Sequence, residues 1–293
     1  MKKKFSAIAL ALVISSVMIS CGENKSNLKE DNNISTENQV EKFPVTLSNI
    51  ASKEMQDEVK TLLINNNINE ENADRYIKYI NDFNERVKDK TLLKEEFVTV
   101  DSMSGLYNSI ILEDRIAEDG SIFGEINCRL ASFELFKEFV STKGEIQVDN
   151  YLIFDIEAIE NNPIISFTDE DKKKYINLFN PIDIGNVKDT NEIVKLIKEE
   201  LNKREVKIDN QGNVSLINIY MNDEIENKMF VGHSVVMIEN ANEYLIIEKF
   251  SPMDPFQISK FSSREDVKKY LLSRNDIYGS DINPIVLINN EEF

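Results

Sequence analysis

Residues 232–250 read GHSVVMIENANEYLIIEKF and include His233, the only histidine in the chain. Two runs rich in apolar and β-branched residues, 234–238 and 244–247, flank the polar segment at 240–243. Short runs of this kind around a polar turn are typical of a β-hairpin, because turn residues let the chain reverse between two strands. The stretch therefore predicts two adjacent antiparallel strands.

The register of this hairpin decides which side chains meet. If Glu239 pairs with Tyr244, His233 and Glu248 lie on one face as diagonal neighbours, because side chains alternate between faces along a strand. A slip of one residue would put them on opposite faces. A carboxylate beside an imidazole fixes the tautomer of the ring and stabilises its charged form. The hairpin thus predicts a histidine–glutamate pair that lacks only a nucleophile.

The first residues resemble a bacterial lipoprotein signal. A basic start at 1–4 precedes an apolar run at 5–18, which is short for a membrane span, and Met-Ile-Ser-Cys follows at 18–21. The resemblance implies cleavage after Ser20 and lipid attachment to Cys21; an ordinary secretory signal or an N-terminal anchor helix is the alternative. No later stretch approaches the roughly 20 apolar residues of a membrane span. The lipid is therefore the expected anchor, at the outer membrane or the cell surface.

Cys128 is the candidate nucleophile. The chain has two cysteines, and with Cys21 acylated Cys128 has no partner for an intramolecular disulfide. Residues from 128 onward have helical spacing and Asn127 is a suitable N-cap, so Cys128 falls in the first turn of a helix. A thiolate there faces the positive end of the helix dipole, which lowers its pKa. Cys128 is either a reactive thiol or, alternatively, a small buried hydrophobic residue.

The amino-acid composition argues against several classes of partner and cofactor. The net charge is -18, and removal of residues 1–20, which hold three lysines and no acidic residue, makes it -21. So acidic a chain argues against nucleic acids and anionic lipid surfaces as partners. Glycine is scarce, and the sequence has neither a CxxC motif nor a histidine cluster. No phosphate loop, structural metal or other cofactor is therefore expected.

The remaining pattern places helices early and hairpins late. Besides the helix that begins at Cys128, helices are predicted over residues 52–65, 69–87, 104–116, 169–179, 189–203 and 263–274. Strands are predicted over residues 97–100, 151–156, 206–208, 214–221 and 284–288. Of these, 206–208 and 214–221 are expected to form a second hairpin, and 251–257 is predicted to be a loop.

These elements predict an α+β fold, in which an antiparallel sheet packs against helices. Residues 1–20 are interpreted as the signal peptide. Residues 21–43, which contain few apolar residues, are interpreted as a flexible tether after Cys21. Residues 44–293 are expected to form a single domain that includes a helical subdomain over about 47–120.

Four motifs together resemble the bacterial domain-of-unknown-function family 4300. They are Asn127-Cys128-Arg129 at a helix start, Gly232-His233 opening a strand, Glu248-Lys249 closing its partner, and Pro255-Phe256-Gln257 beyond it. The resemblance extends from about Leu47 to the end of the chain. It implies a secreted or lipid-anchored protein and assigns no reaction.

The order of a cysteine on a helix, a histidine on a strand and an acid on the next strand resembles the papain-like superfamily, in its transglutaminase and cell-wall-peptidase branches. The resemblance implies a papain-like core in which Cys128 is the nucleophile and His233 is the general base and then the acid. Glu248 would orient His233, although that superfamily places an aspartate there, and Asp254 is the alternative acid.

Further site residues follow from the same hypothesis. Asn127 or Gln257 could help to stabilise an oxyanion. Arg129 could bind a substrate carboxylate, or it could equally pair with an acid of the core.

Two functions stay open at this point. One is a cysteine hydrolase or acyltransferase that acts on peptide or amide bonds outside the cytoplasm. The other is a non-enzymatic surface lipoprotein that binds a ligand or partner, in which Cys128 and His233 belong to the core, as a lone histidine on an apolar strand usually does. A redox or metal role is the remaining alternative.

Overall fold

The computed structural model describes residues 43–116, 120, 123–209, 212–241, 243–274, 277 and 282–293. These residues belong to one compact unit of the chain. The predicted signal peptide, Cys21 and the tether up to residue 42 lie outside the described residues. Within them, no helix combines the length and the apolar character needed to cross a membrane.

The described residues form seven α-helices and eleven strands. The helices are α1 (Lys53–Asn65), α2 (Glu70–Arg86), α3 (Cys128–Phe136), α4 (Ile153–Asn161), α5 (Asp169–Phe179), α6 (Thr190–Lys203) and α7 (Arg264–Leu272). The strands are β1 (Val45–Ser48), β2 (Val98–Val100), β3 (Val140–Ser141), β4 (Ile182–Asp183), β5 (Lys207–Ile208), β6 (Val214–Asp223), β7 (Lys228–Asn240), β8 (Glu243–Lys249), β9 (Phe256–Phe261), β10 (Ile285–Ile288) and β11 (Glu291–Glu292).

Nine strands form one sheet in the order β11-β10-β6-β7-β8-β9-β1-β2, with β4 also paired to β7. All pairs of neighbouring strands in it are antiparallel. The predicted α+β class with an antiparallel sheet is therefore confirmed. The segment expected to be a helical subdomain contains α1 and α2, but it also supplies β1 and β2 to this sheet.

The sheet separates two apolar cores because alternate side chains point to opposite faces. On one face, Val236 and Ile247 pack with residues of α1 to α6. On the other face, Val235 and Ile246 pack with α7 through residues such as Leu271. The helix that begins at Cys128 therefore lies on the opposite side of the sheet from α7.

The central hairpin has the predicted register. Glu239 pairs with Tyr244, and pairing continues to Asn240–Glu243, so the turn is shorter than the four residues expected. At the other end, the ladder between β7 and β8 stops at Val236–Ile247.

A β-bulge lies just beyond that end of the ladder. Ile219 pairs with His233 and Tyr220 with Val231, so Gly232 is an extra residue in β7. A Cβ atom at Gly232 would lie 2.1 Å from the terminal methyl group of Met221, so a larger residue here would require the Met221 side chain to move. Because a bulge changes the direction of the next side chain, Gly232 helps to aim His233.

Helix prediction succeeded where a side chain caps the first turn. Ser52, Asn69, Asn127, Thr168, Asp189 and Ser263 each accept a hydrogen bond from a backbone N–H of the following turn. Such caps satisfy donors that have no partner within the helix, so they mark helix starts in the sequence.

Two predictions for the middle of the chain are wrong. Residues 151–156 form a short 3₁₀ helix and the start of α4 instead of a strand, because the carboxylate of Asp149 accepts from the backbone N–H of Tyr151 at 3.2 Å. A short apolar run cannot distinguish the two by its periodicity. Residues 104–116 form turns instead of a helix: Gly105 has a φ of 74°, and Leu112 pairs with Val87.

Two predictions about strands are also wrong. β5 pairs with β3 through Val140 and Ile208, so it forms no hairpin with β6. The predicted loop 251–257 overlaps the start of β9, which pairs with both β8 and β1. The pairing of β5 with β3 and that of β9 with β1 join segments that are distant in sequence, which turn signals do not report.

Candidate active site

Helix α3 presents Cys128 as its first residue, as predicted. The side-chain oxygen of Asn127 accepts a hydrogen bond from the backbone N–H of Leu130 at 3.0 Å and fixes the start of the helix. Cys128 is a free cysteine that is 6% exposed. Its thiol lies at the end of α3 where the helix dipole favours negative charge.

The hairpin brings His233 and Glu248 together, as the register predicted. His233 Nε2 lies 2.6 Å from Glu248 Oε2, and both side chains are buried. The two residues lie beyond the last paired residues of β7 and β8. The bond therefore joins the two strands where their backbone ladder has ended.

The imidazole of His233 also lies near the thiol of Cys128, since each of the two groups shifts the pKa of the other. Because Nε2 is used by Glu248, Nδ1 is the ring nitrogen that remains for the sulfur. The Cys128 thiol donates to the carbonyl oxygen of Gly232 at 3.8 Å, and the backbone N–H of Ser234 helps to lower the pKa of the thiol. His233 thus bridges the cysteine of α3 and the glutamate of β8.

The surroundings favour a thiolate and an imidazolium. Burial raises the pKa of Cys128, but His233, then Arg129 and the N–H of Ser234, lower it to a net value below that of a free thiol. Burial and Arg274 lower the pKa of His233, while Cys128 and Glu248 raise it above its usual value. A thiol made more acidic beside an imidazole made more basic can pass its proton to the ring, which produces an ion pair.

Four donors surround the carboxylate of Glu248. Oε2 accepts from His233 and from Arg274 Nη1 at 2.9 Å, and Oε1 accepts from the Tyr270 hydroxyl at 2.5 Å and Gln257 Nε2 at 3.0 Å. Burial raises the pKa of Glu248, but Arg274, His233 and Tyr270 together lower it to about 2. Because a carboxylate has about four acceptor positions, these contacts fix its orientation and keep it ionised.

Gln257 lies opposite Glu248 on β9 and is fully buried. Its amide nitrogen bonds Glu248 and the Tyr270 hydroxyl, and its oxygen accepts from the Tyr107 hydroxyl at 2.6 Å. This placement makes Gln257 a support for Glu248, and it does not favour the predicted oxyanion role. The alternative acid Asp254 bonds Ser251 within the next loop, at 2.6 Å.

Asn127 and Arg129 both contact Asp155 of α4. The amide nitrogen of Asn127 donates to Asp155, so both ends of that amide are occupied. Arg129 binds Asp155 Oδ2 through two nitrogens, at 2.9 and 2.6 Å, and donates to the carbonyl oxygen of Val231 at 2.8 Å. Of the two roles expected for Arg129, the structure therefore favours pairing with a core acid. The oxyanion donors that remain near the thiol are backbone N–H groups at the start of α3.

Sequence reasoning missed Tyr270 and Arg274, both of which bind Glu248. The sequence did contain a sign that Arg274 is buried. Tyr270 and Arg274 are four residues apart in a predicted helix and share the face that carries its apolar residues. Their partner, however, lies on a different element. No group of three or more potential metal-ligating side chains occurs within the described part of the chain.

Comparisons with known proteins provide a family but no reaction. The chain matched no curated protein and no solved structure. One family model, described as Domain of unknown function (DUF4300), matches residues 46–293, which include every residue of the site described above. The chain therefore belongs to the DUF4300 family.

Proposed function

We propose that this protein is a cysteine hydrolase or acyltransferase that acts on peptide or amide bonds. Cys128 is the nucleophile, His233 is the general base and then the acid, and Glu248 orients the imidazole. The observation that supports this most strongly is the position of His233, whose ring lies beside the Cys128 thiol and 2.6 Å from an ionised, buried carboxylate. That arrangement is what an activated cysteine requires.

The reaction would begin when the Cys128 thiolate forms a bond to the carbonyl carbon of the substrate. Backbone N–H groups at the start of α3 would bind the oxyanion of the tetrahedral intermediate. The carbon–nitrogen bond then breaks, and the imidazolium of His233 gives its proton to the leaving amine. Water or a second amine attacks the resulting thioester while His233 accepts its proton, so the thiolate is restored and an acid or a new amide leaves.

The proposed location follows from the N-terminal residues. A lipid on Cys21 would hold the domain outside the cytoplasm, where peptides and the stem peptides of peptidoglycan are the natural amide substrates. The intact mass of protein extracted from membranes tests this point. A mass that retains residues 1–20, or an unmodified Cys21, would contradict the proposed anchor.

A non-enzymatic binding lipoprotein is the second candidate, and one observation favours it. Cys128 is 6% exposed and His233 is 1% exposed, which suits core residues. A hydrolase of this form must admit the scissile bond to the sulfur, whereas a binding protein need not. Acylation of Cys128 therefore separates the two candidates.

The test uses p-nitrophenyl acetate and the full chain with Cys21→Ser, so that Cys128 is the only thiol. We expect a burst of nitrophenolate equivalent to the enzyme concentration and an acetyl group on Cys128 by peptide mass spectrometry, because a thioester intermediate accumulates when its hydrolysis is slow. The matched control is the same chain with Cys128→Ser. Absence of a burst, or an acetyl group on lysines alone, would favour the binding protein.

A further inference from the structure

Arg274 lies just beyond α7 with a fully buried side chain. Its Nη1 donates to Glu248 Oε2 at 2.9 Å, and His233 Nε2 lies 2.6 Å from the same oxygen. The imidazole and the guanidinium therefore share one carboxylate oxygen. A Cys–His–acid site needs no such arginine, so this contact requires its own explanation.

Two further contacts hold Arg274 in place. Nη2 donates to the carbonyl oxygen of Phe250 at 2.6 Å, and the guanidinium lies 3.7 Å from the centre of the Phe250 ring. Four residues earlier, Tyr270 donates to the other oxygen of Glu248 at 2.5 Å. One short segment thus supplies a charged donor to one carboxylate oxygen and a neutral donor to the other.

We propose that Arg274 is a positioning residue of this site, which shares the charge of Glu248 with His233 and so limits how strongly the imidazole holds its proton. The inference deepens the proposed function, on which it rests for the catalytic meaning of His233. Its geometry does not depend on that function, because the three side chains are in contact regardless of any substrate.

The physical reason is the balance of charges around His233. Burial and then Arg274 lower the pKa of His233, against the opposing effects of Cys128 and Glu248. An imidazole beside an uncompensated buried carboxylate would keep its proton to a much higher pH, and it would be a poor general base when the thioester is attacked. Arg274 offsets part of that carboxylate charge.

The other titratable groups near this pair lie on several elements. They are Arg129 on α3, Lys249 on β8, Tyr270 on α7, Tyr76 on α2, Tyr107 before α3 and Asp254 before β9. The tyrosines are neutral at physiological pH because burial raises the pKa of each. Arg274 is therefore the cation in direct contact with Glu248 among these groups.

The titration of His233 by NMR tests the proposal. Because the chain has a single histidine, an untagged full chain labelled with ¹⁵N-histidine gives one imidazole to follow. We expect Arg274→Gln to raise the midpoint of His233 by about one pH unit or more, which is the usual effect of a contact charge. Arg274→Lys, which keeps the charge, should stay close to the wild type. A purely structural role would predict no upward shift in the glutamine variant.

A second variant covers the case in which Arg274→Gln does not fold. In Glu248→Gln the arginine charge is buried without its partner, so adding Arg274→Gln removes both charges and should recover stability. The double variant should also show a higher His233 midpoint than Glu248→Gln alone. If Arg274→Gln leaves the midpoint unchanged in both backgrounds, or if the double variant recovers no stability, the proposal is wrong. Either result is independent of the acylation of Cys128.

Discussion

Replacement of Glu248 by glutamine is expected to destabilise the fold by about 3–5 kcal/mol, the usual consequence of removing one partner from a buried ion pair. The side chains of Glu248 and Arg274 are both fully buried, so the guanidinium would lose its counter-charge without gaining access to water. His233 would also lose the acceptor that now lies 2.6 Å from its Nε2. Urea unfolding followed by circular dichroism measures the effect.

An exposed ion pair between the same hairpin and α7 provides the matched control. Glu239 pairs with Arg264, whose side chain is 54% exposed. Glu239→Gln is therefore expected to cost less than about 1 kcal/mol, because water screens and replaces such pairs. If the two glutamine variants were equally stable, the carboxylate of Glu248 would not be the buried, paired group described above.

The same carboxylate predicts a dependence of stability on pH. The pKa of Glu248 is about 2 in the folded protein against 4.5 for the ordinary group. A depressed pKa stabilises the fold above the unfolded value, and the contribution is lost as the pH falls from about 4.5 toward 2. Above the unfolded value, the ionised carboxylate adds about 3 kcal/mol to the free energy of unfolding, and Glu248→Gln lacks this contribution. The difference in unfolding free energy between the two proteins should therefore shrink as the pH falls.

His233→Ala is expected to slow the alkylation of Cys128 at about pH 6 by between 10- and 100-fold. An ordinary thiol with a pKa near 8.5 is less than about 1% thiolate at that pH, and a buried thiol without a cationic neighbour is less ionised still. In the wild type the imidazolium makes the largest contribution to the stability of the thiolate, ahead of Arg129 and the backbone N–H of Ser234. A thiolate of low pKa is also a weaker nucleophile, which is why the expected factor is not larger.

Iodoacetamide labelling of the full chain with Cys21→Ser measures this rate at one thiol. The matched control is Ser234→Ala, because it removes a hydroxyl on the residue after His233 and keeps the backbone N–H that helps to lower the pKa of Cys128. It should leave the rate near that of the parent chain. If Cys128 is labelled only after unfolding in urea, in the parent and in both variants, the thiol is a core residue and the catalytic proposal fails.

The parts of the site that could be predicted from the sequence are those that local chemistry specifies. Asn127 predicted the start of α3, since a side chain that caps a helix acts within three residues. The turn after Glu239 predicted the register of the hairpin, and with it the meeting of His233 and Glu248. Both predictions used residues that lie near one another in the chain.

The rest depended on contacts between distant segments. β1 is a short strand whose two partners in the sheet, β9 and β2, both lie far from it in the sequence. Tyr270 and Arg274 could be placed on a helix face, but nothing in their own segment indicates that this face covers Glu248. Likewise, the sequence alone could not decide whether Arg129 binds a substrate carboxylate or an acid of the core. The fold decides this, because α4 places Asp155 beside Arg129. Such choices are made by tertiary packing, which a local pattern does not contain.

The central claim is that Cys128 and His233 exist as a thiolate–imidazolium pair. The ultraviolet absorbance of the thiolate tests it most directly, because it requires no reagent to reach the sulfur. The full chain with Cys21→Ser is titrated, and the same chain with Cys128→Ser is subtracted. We expect an inflection well below the free-thiol value of about 8.5, and we expect His233→Ala to raise it. An inflection at or above that value in both proteins would contradict it.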